Sequence, residues 1–330
     1  MKQIIKRFWL VICFAIIVNI PILVVGLVRT DNRVLMKGDT TNIQNVVEVD
    51  TDYEQVGSFS SIYVISSDKI TILQNWLLRL DKTATISEIQ NEDLHYSDYE
   101  NYMSGQVQKQ ASIMYALISA YQEAMNSDKN INIDYSFKSI AVCSYPKNSQ
   151  LEMADEIIKV NSTSYEAGKD ALIEACKEAS KGDVITVIRN NFEKEIVLNS
   201  DLEFGGYFYY NIDYKTIAPS VIVKPTTTGG PSGGLLQALS IYNSLTEFDY
   251  TRGKKISGTG TISVDGKVGA IGGIKQKVLT AFDDAIDIFF CPADNYADAK
   301  EAYDSVENKE RMQLVPVYKL SDAIWYLYNV

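Results

Sequence analysis

Gly229-Gly230-Pro231-Ser232-Gly233-Gly234 is a glycine-rich turn, and Leu235, Leu236, Leu239, Tyr242 and Leu245 after it fall at the spacing of one buried helix face. Two apolar strands, residues 207–212 and 221–224, lead into the turn, so this part of the chain reads as α/β. Proline is favoured in the first turn of a helix, so Pro231 is expected to open this one and set Ser232 at its N-terminus. There the helix dipole and free backbone N–H groups stabilise a developing oxyanion, and Gly233 and Gly234 leave room for a substrate backbone. A serine in such a turn is, taken alone, an ordinary helix-start residue. A phosphate loop is excluded because no Gly-Lys-Ser/Thr follows the glycines.

Residues 258–268, Gly-Thr-Gly-Thr-Ile-Ser-Val-Asp-Gly-Lys-Val, read as a strand, an Asp-Gly hairpin turn and a returning strand. The hairpin delivers Gly272-Gly273 and then a helix from about Ile274, with Lys277 in its first turn. The positive end of the helix dipole and burial both lower a lysine pKa, and a lysine that serves as a base must be neutral at working pH. Lys275, two residues earlier, reads as a solvated charge. The single histidine, His95, lies far upstream in an acidic, tyrosine-rich segment, which disfavours a Ser-His-Asp arrangement. A serine without histidine needs another base, and lysine is the usual substitute.

The 330 residues are enough for two or three domains, and 46% hydrophobic with 22% charged residues is ordinary for folded protein. A formal net charge of -11 without clustered Lys and Arg excludes a nucleic-acid surface. With Cys13 in the N-terminal apolar stretch, Cys143, Cys176 and Cys291 remain, an odd number without metal-ligand spacing. Neither a disulfide framework nor a metal or other cofactor is expected. Residues 8–28 contain one strongly polar member, Asn19, and are long enough to span a bilayer as a helix. No small-x-small cleavage site follows, so the expectation is an uncleaved anchor over 8–28 with residues 1–7 as a cytoplasmic tail. Pro21 is tolerable within a membrane helix.

Residues 29–135 form an N-terminal extracytoplasmic region. In it, residues 57–66 alternate like a strand, 70–80 are helical or extended, and 88–100 read as an acidic, aromatic loop. Met114, Leu117, Ile118, Tyr121 and Met125 mark a helix whose stripe faces a core. From 136 to 202 the order is a strand 139–143, a strand ending at Asn161, a helix over 164–180, Gly182-Asp183, and strands 184–189 and 195–198. This order resembles the second half of a PDZ domain, and Glu156-Ile157-Ile158-Lys159-Val160-Asn161 looks like that family's D-x-I-x-x-V-N-G signature. Ala154 stands where a glycine is usual, and no Gly-Leu-Gly-Phe loop is visible, so the resemblance implies the fold and leaves peptide binding open.

Residues 203–330 resemble the proteolytic domain of the Lon family. Gly230-Pro231-Ser232-Gly233-Gly234 matches the family's G-P-S-A-G with Gly for Ala, and residues 271–277 match I-G-G-x-x-x-K. Phe289, Phe290, Pro292 and Asn295 match F-F-x-P-x-x-N. Counting from the double glycine, the resemblance makes Lys277 the base, 45 residues after Ser232, with a short insertion near 247–254. It also places the threonine that neighbours the lysine at Thr259, although Thr261 replaces the glutamate of T-G-E and Gly229 replaces an aspartate. No Walker A lysine is present, so the layout resembles the membrane-anchored PDZ-Lon proteins, small ATP-independent relatives.

The expected fold is therefore an α/β (α+β) Lon-type proteolytic domain over 203–330, a degenerate PDZ-like domain and one N-terminal transmembrane helix, with strand 57–66 returning to the catalytic sheet. The expected activity is that of a membrane-anchored, ATP-independent serine endopeptidase on the extracytoplasmic side. Ser232 is the nucleophile, Lys277 the base, Thr259 the support, and the backbone N–H groups of Ser232 and Gly233 the oxyanion hole. Protein or peptide substrates are the expected partners, and the resemblance implies ring-like self-assembly. The alternatives are a catalytically weak or inactive binding scaffold at the cell envelope, and acyl transfer to a non-peptide amide or ester.

Overall fold

The computed structural model describes residues 2–90 and 95–330, with the side chains of residues 2–7, 10 and 12 outside the description. The chain divides into two compact units, one of residues 1–37 with 64–94 and one of residues 38–63 with 95–330.

In the first unit a 26-residue helix runs over Lys2–Leu27 with Pro21 inside it. Among the described residues no helix is long and apolar enough to cross a membrane. The expected span 8–28 includes positions 10 and 12, which lie outside the described side chains, so the anchor rests on the sequence alone. The chain leaving this helix is tied to the short helix Ile72–Leu78, since the Ile72 N–H donates to the Val28 carbonyl at 3.0 Å. A capping box between Thr71 and Gln74 starts the short helix, and Trp76, Leu77 and Leu80 beside it are exposed. The acidic loop expected over 88–100 lies partly outside the described residues, at 91–94.

The second unit holds a parallel sheet buried on both faces. Residues 58–61 of the strand Ser58–Ser67 run parallel to Lys255–Gly258, which runs parallel to Ile288–Pro292, and that strand to Gln313–Val317. The first of these pairings joins chain ends far apart, and the Ser257 hydroxyl donates to the Ser60 carbonyl at 3.0 Å across 197 residues. Alternation along Ile288–Pro292 sends Ile288 and Phe290 to one core and Phe289 and Cys291 to the other. The first core takes the helices Asp98–Met125, Gly234–Ser244 and Leu320–Asn329 through Leu117, Leu236 and Leu327. Ile274–Asp283 and Tyr296–Asp304 cover the second core through Val278 and Ala299.

Residues 135–212 build an antiparallel sheet in the order Gly205–Ile212, Tyr135–Ser144, Glu156–Val160, Val184–Arg189 and Phe192–Val197. The helix Lys169–Glu178 contributes Leu172 and Cys176 to the core of this sheet. Asn190 and Asn191 both take positive φ, 53° and 66°, which suits a two-residue hairpin turn. Ala154 also takes a positive φ, 70°, the backbone state that explains why glycine is usual there. The strand read at 207–212 as leading into the glycine-rich turn belongs to this sheet, opposite Tyr135–Ser144. It is apolar on both faces, with Phe208 against the core of the antiparallel sheet and Tyr209 against the long helix Asp98–Met125, so its pattern did not reveal its partner.

Candidate active site

The helix after the glycine-rich turn starts at Gly234, with Gly233 as its N-cap. Pro231 and Ser232 thus lie in the turn before the helix, not in its first turn as expected, and the Gly234 N–H closes that turn on the Pro231 carbonyl at 3.2 Å. The turn is braced from behind by the long helix, whose Gly105 carbonyl accepts from the Gly230 N–H at 2.8 Å. A Cβ on Gly105 would lie 3.4 Å from the Gly229 Cα, so the helix comes this close because neither residue has a side chain. Two helical turns further on, the Ser112 hydroxyl donates to the Pro231 carbonyl at 3.0 Å. The glycine-rich turn is therefore held at two points by a helix that the sequence assigned only to a core.

The second helix of the site, Ile274–Asp283, is launched by Gly273 in the left-handed region, φ 71°. That state costs a side-chain-bearing residue about 1–2 kcal/mol, which accounts for a glycine immediately before Ile274. The approach to it is clamped by Asn295, whose side-chain amide accepts from the Ile271 N–H at 2.8 Å and donates to the Ile271 carbonyl at 3.1 Å. Thr259 is fixed by the central strand, its N–H donating to the Phe290 carbonyl at 2.9 Å.

These supports bring Ser232, Thr259 and Lys277 together. The Lys277 amine lies 2.7 Å from the Ser232 Oγ and 3.0 Å from the Thr259 Oγ1. The Thr259 hydroxyl donates its own proton to the Ser232 carbonyl at 3.0 Å, so its lone pairs face the amine. The Gly260 N–H donates to the same carbonyl at 2.8 Å, which locks the backbone of Ser232. Lys277 is 1% exposed, and its pKa is lowered to about 7, first by burial and second by the charge of Lys109. A neutral amine at this position has one lone pair for the Ser232 proton and an N–H for Thr259. Ser232 is partly exposed, as a group that meets substrate must be.

Among the described residues, the N–H groups of Ser232 and Gly233 donate to no protein acceptor, so both are available to an oxyanion. His95 stacks on Tyr96 at 3.9 Å and on Tyr145 at 6.1 Å, in an aromatic cluster without Ser232. Two buried groups were missed by sequence reasoning. The Gln237 amide is within 3.3 Å of where a Cβ on Gly233 would sit, and neither of its polar atoms has a partner. Lys109, on the long helix, is 6% exposed, and burial lowers its pKa. It lies five residues before the stripe Met114 to Met125, on the part of the helix to which the sequence assigned no face.

The family model of the Lon protease (S16) C-terminal proteolytic domain matches residues 211–328. The Lon protease of Aster yellows witches'-broom phytoplasma is 32% identical over 101 residues, 31% of this chain and 12% of that protein. The Lon protease of Rhizobium meliloti is 31% identical over 112 residues, 34% of this chain and 13% of its own length. The Lon protease of Mycoplasma genitalium is 25% identical over 317 residues, 87% of this chain and 38% of its own length. The chain thus aligns to well under half the length of these relatives.

Proposed function

We infer that the chain is a serine protease, a reading supported by the match of residues 211–328 to the Lon C-terminal proteolytic domain, with Ser232 and Lys277 as its catalytic dyad and peptide bonds its substrate. The observation that carries this reading is the buried Lys277 amine, 2.7 Å from the Ser232 Oγ with a pKa lowered to about 7. Ser232 attacks the scissile carbonyl as its proton passes to Lys277. The oxyanion forms against the N–H groups of Ser232 and Gly233, and protonated Lys277 then returns its proton to the leaving amine. Water, deprotonated by the same amine, releases the acyl group.

The chain acts without a nucleotide motor of its own, a reading supported by the lack of a Walker A lysine in these residues. Its substrates are then unfolded or flexible segments, because nothing in it would unfold a stable domain. An N-terminal anchor is supported by the apolar run 8–28 and by the exposed Trp76, Leu77 and Leu80, an apolar and aromatic set suited to a membrane surface. The catalytic part then faces the extracytoplasmic side. The antiparallel sheet with its helix supports a PDZ-like unit between anchor and protease. Detergent-solubilised full chain is expected to cleave unfolded casein at the same rate with and without ATP. Cleavage that required ATP would overturn the motor-free reading.

Thr259 positions the base. Thr259→Val removes both the acceptor for the Lys277 N–H and the donor to the Ser232 carbonyl, within nearly the same volume. The expected result is a fall in kcat of about 10- to 100-fold with KM little changed, since a positioning hydrogen bond is worth about 1.5–3 kcal/mol when charge develops on its partner. A Thr259→Ser variant, which keeps the hydroxyl, is expected to restore most of the rate.

A further inference from the structure

Gly105, Lys109 and Ser112 are spaced by four and three residues, so they share one face of the helix Asp98–Met125. The two outer members touch the nucleophile turn, Gly105 at Gly230 and Ser112 at Pro231. Lys109 between them must therefore face the same side, and its charge acts on Lys277. It also lines a cleft of about 570 Å³ together with Val223, Pro225 and Thr226, the last of them six residues before Ser232 in the chain. That volume suits a side chain or a peptide terminus.

The lining of this cleft is one-sided in its chemistry. Among the described residues Lys109 has no carboxylate partner, and no Asp or Glu lines the cleft. Gln106, one turn before Lys109 in the same lining, has a buried amide Nε2 with no acceptor. The other lysine of the lining, Lys138, is already paired with Glu156 at 2.8 Å. A buried ammonium without a counter-charge is costly, and so is an amide donor without an acceptor. A carboxylate would satisfy both.

We propose that this cleft is a substrate subsite for a carboxylate, with Lys109 as the residue that selects it. The enzyme then prefers peptides that carry an acidic side chain, or a free C-terminal carboxylate, within reach of Lys109 when the scissile bond lies on Ser232. The proposal rests on the protease reading above and adds its specificity. Matched peptides carrying Glu, Gln or Lys at each position around one scissile bond test it with the full chain, beside a set ending in a free acid or an amide. At one position the Glu peptide is expected to exceed its Gln twin in kcat/KM by about 10-fold or more, the discrimination that a charge-assisted hydrogen bond supplies. If the terminal carboxylate is the ligand, the gap appears between free acid and amide instead.

Lys109→Met is expected to abolish the preference, and Lys109→Glu to shift it toward the Lys peptide. Equal rates for Glu and Gln, and for acid and amide, in the unmodified chain would overturn the proposal without any variant having to fold. A preference that persists in Lys109→Met would overturn it as well. These results leave the protease reading standing provided that cleavage disappears in Ser232→Ala. Cleavage that is indifferent to Ser232 would sink both.

Discussion

Ser232→Ala is expected to lower hydrolysis of casein and of short peptides by about 10⁴-fold or more, the scale seen when a hydrolase loses its nucleophile and retains only oxyanion and binding contributions. No neighbouring hydroxyl can take over. The Thr259 Oγ1 is also within reach of Lys277, at 3.0 Å, but Thr259 is fully buried and its proton is committed to the Ser232 carbonyl. The Ser232 side chain has Lys277 as its described hydrogen-bond partner, so its removal should leave the fold intact. Mass spectrometry of the products, with circular dichroism of the variant, checks both statements. Undiminished cleavage in a folded Ser232→Ala protein would remove Ser232 from the mechanism.

The second large effect separates activity from stability at one residue. Lys277→Met is expected to abolish cleavage to a similar degree, because among the described residues no other base lies against the Ser232 Oγ, and yet to raise the melting temperature at neutral pH. The folded-state pKa of Lys277 is lowered from 10.5 to about 7. The unfolded chain therefore binds more protons than the folded one between those values, and stability rises with pH across that window. Below pH 7 the buried cation costs its full penalty, on the order of 5 kcal/mol, and above 10.5 it costs nothing. The advantage of Lys277→Met over the natural chain should be largest below pH 7 and fade toward pH 10. The same pKa predicts that the activity of the natural chain rises as pH passes upward through about 7, where the amine becomes neutral. A variant that is inactive but melts lower than the natural chain at pH 6 would contradict the assignment of a buried amine without a counter-charge.

The pair itself was legible because its chemistry leaves marks in local sequence. A left-handed glycine before Ile274 and a glycine-rich turn before Gly234 are backbone demands that few other residues meet, so the spacing between Ser232 and Lys277 can be read directly. Asn295 was visible as a motif residue, but its task, clamping Ile271, emerges only with both segments in place. The helix Asp98–Met125 was foreseen as amphipathic from Leu117, Ile118 and Tyr121, all fully buried. Its other face was not foreseen. An amphipathic pattern says that a face is buried and does not name what lies against it, so Gly105, Lys109 and Ser112 gave no sign of meeting a turn more than a hundred residues onward. The strand Gly205–Ile212 failed for the same reason, since apolar residues on both sides let it pair in either sheet.

The parallel pairing of residues 58–61 with Lys255–Gly258 has a consequence for synthesis. Ser60 leaves the ribosome 197 residues ahead of Ser257, and Thr259 lies two residues beyond that strand's central pairing. At about 5–20 residues per second, the early strand waits about 10–40 s for its neighbour. The helix bearing Lys277 and the strand Ile288–Pro292 arrive later still. A nascent chain therefore carries Ser232 without Lys277 only for the 45 residues that separate them, and their meeting waits on the strand Ile288–Pro292, whose Phe290 carbonyl holds Thr259 beside them.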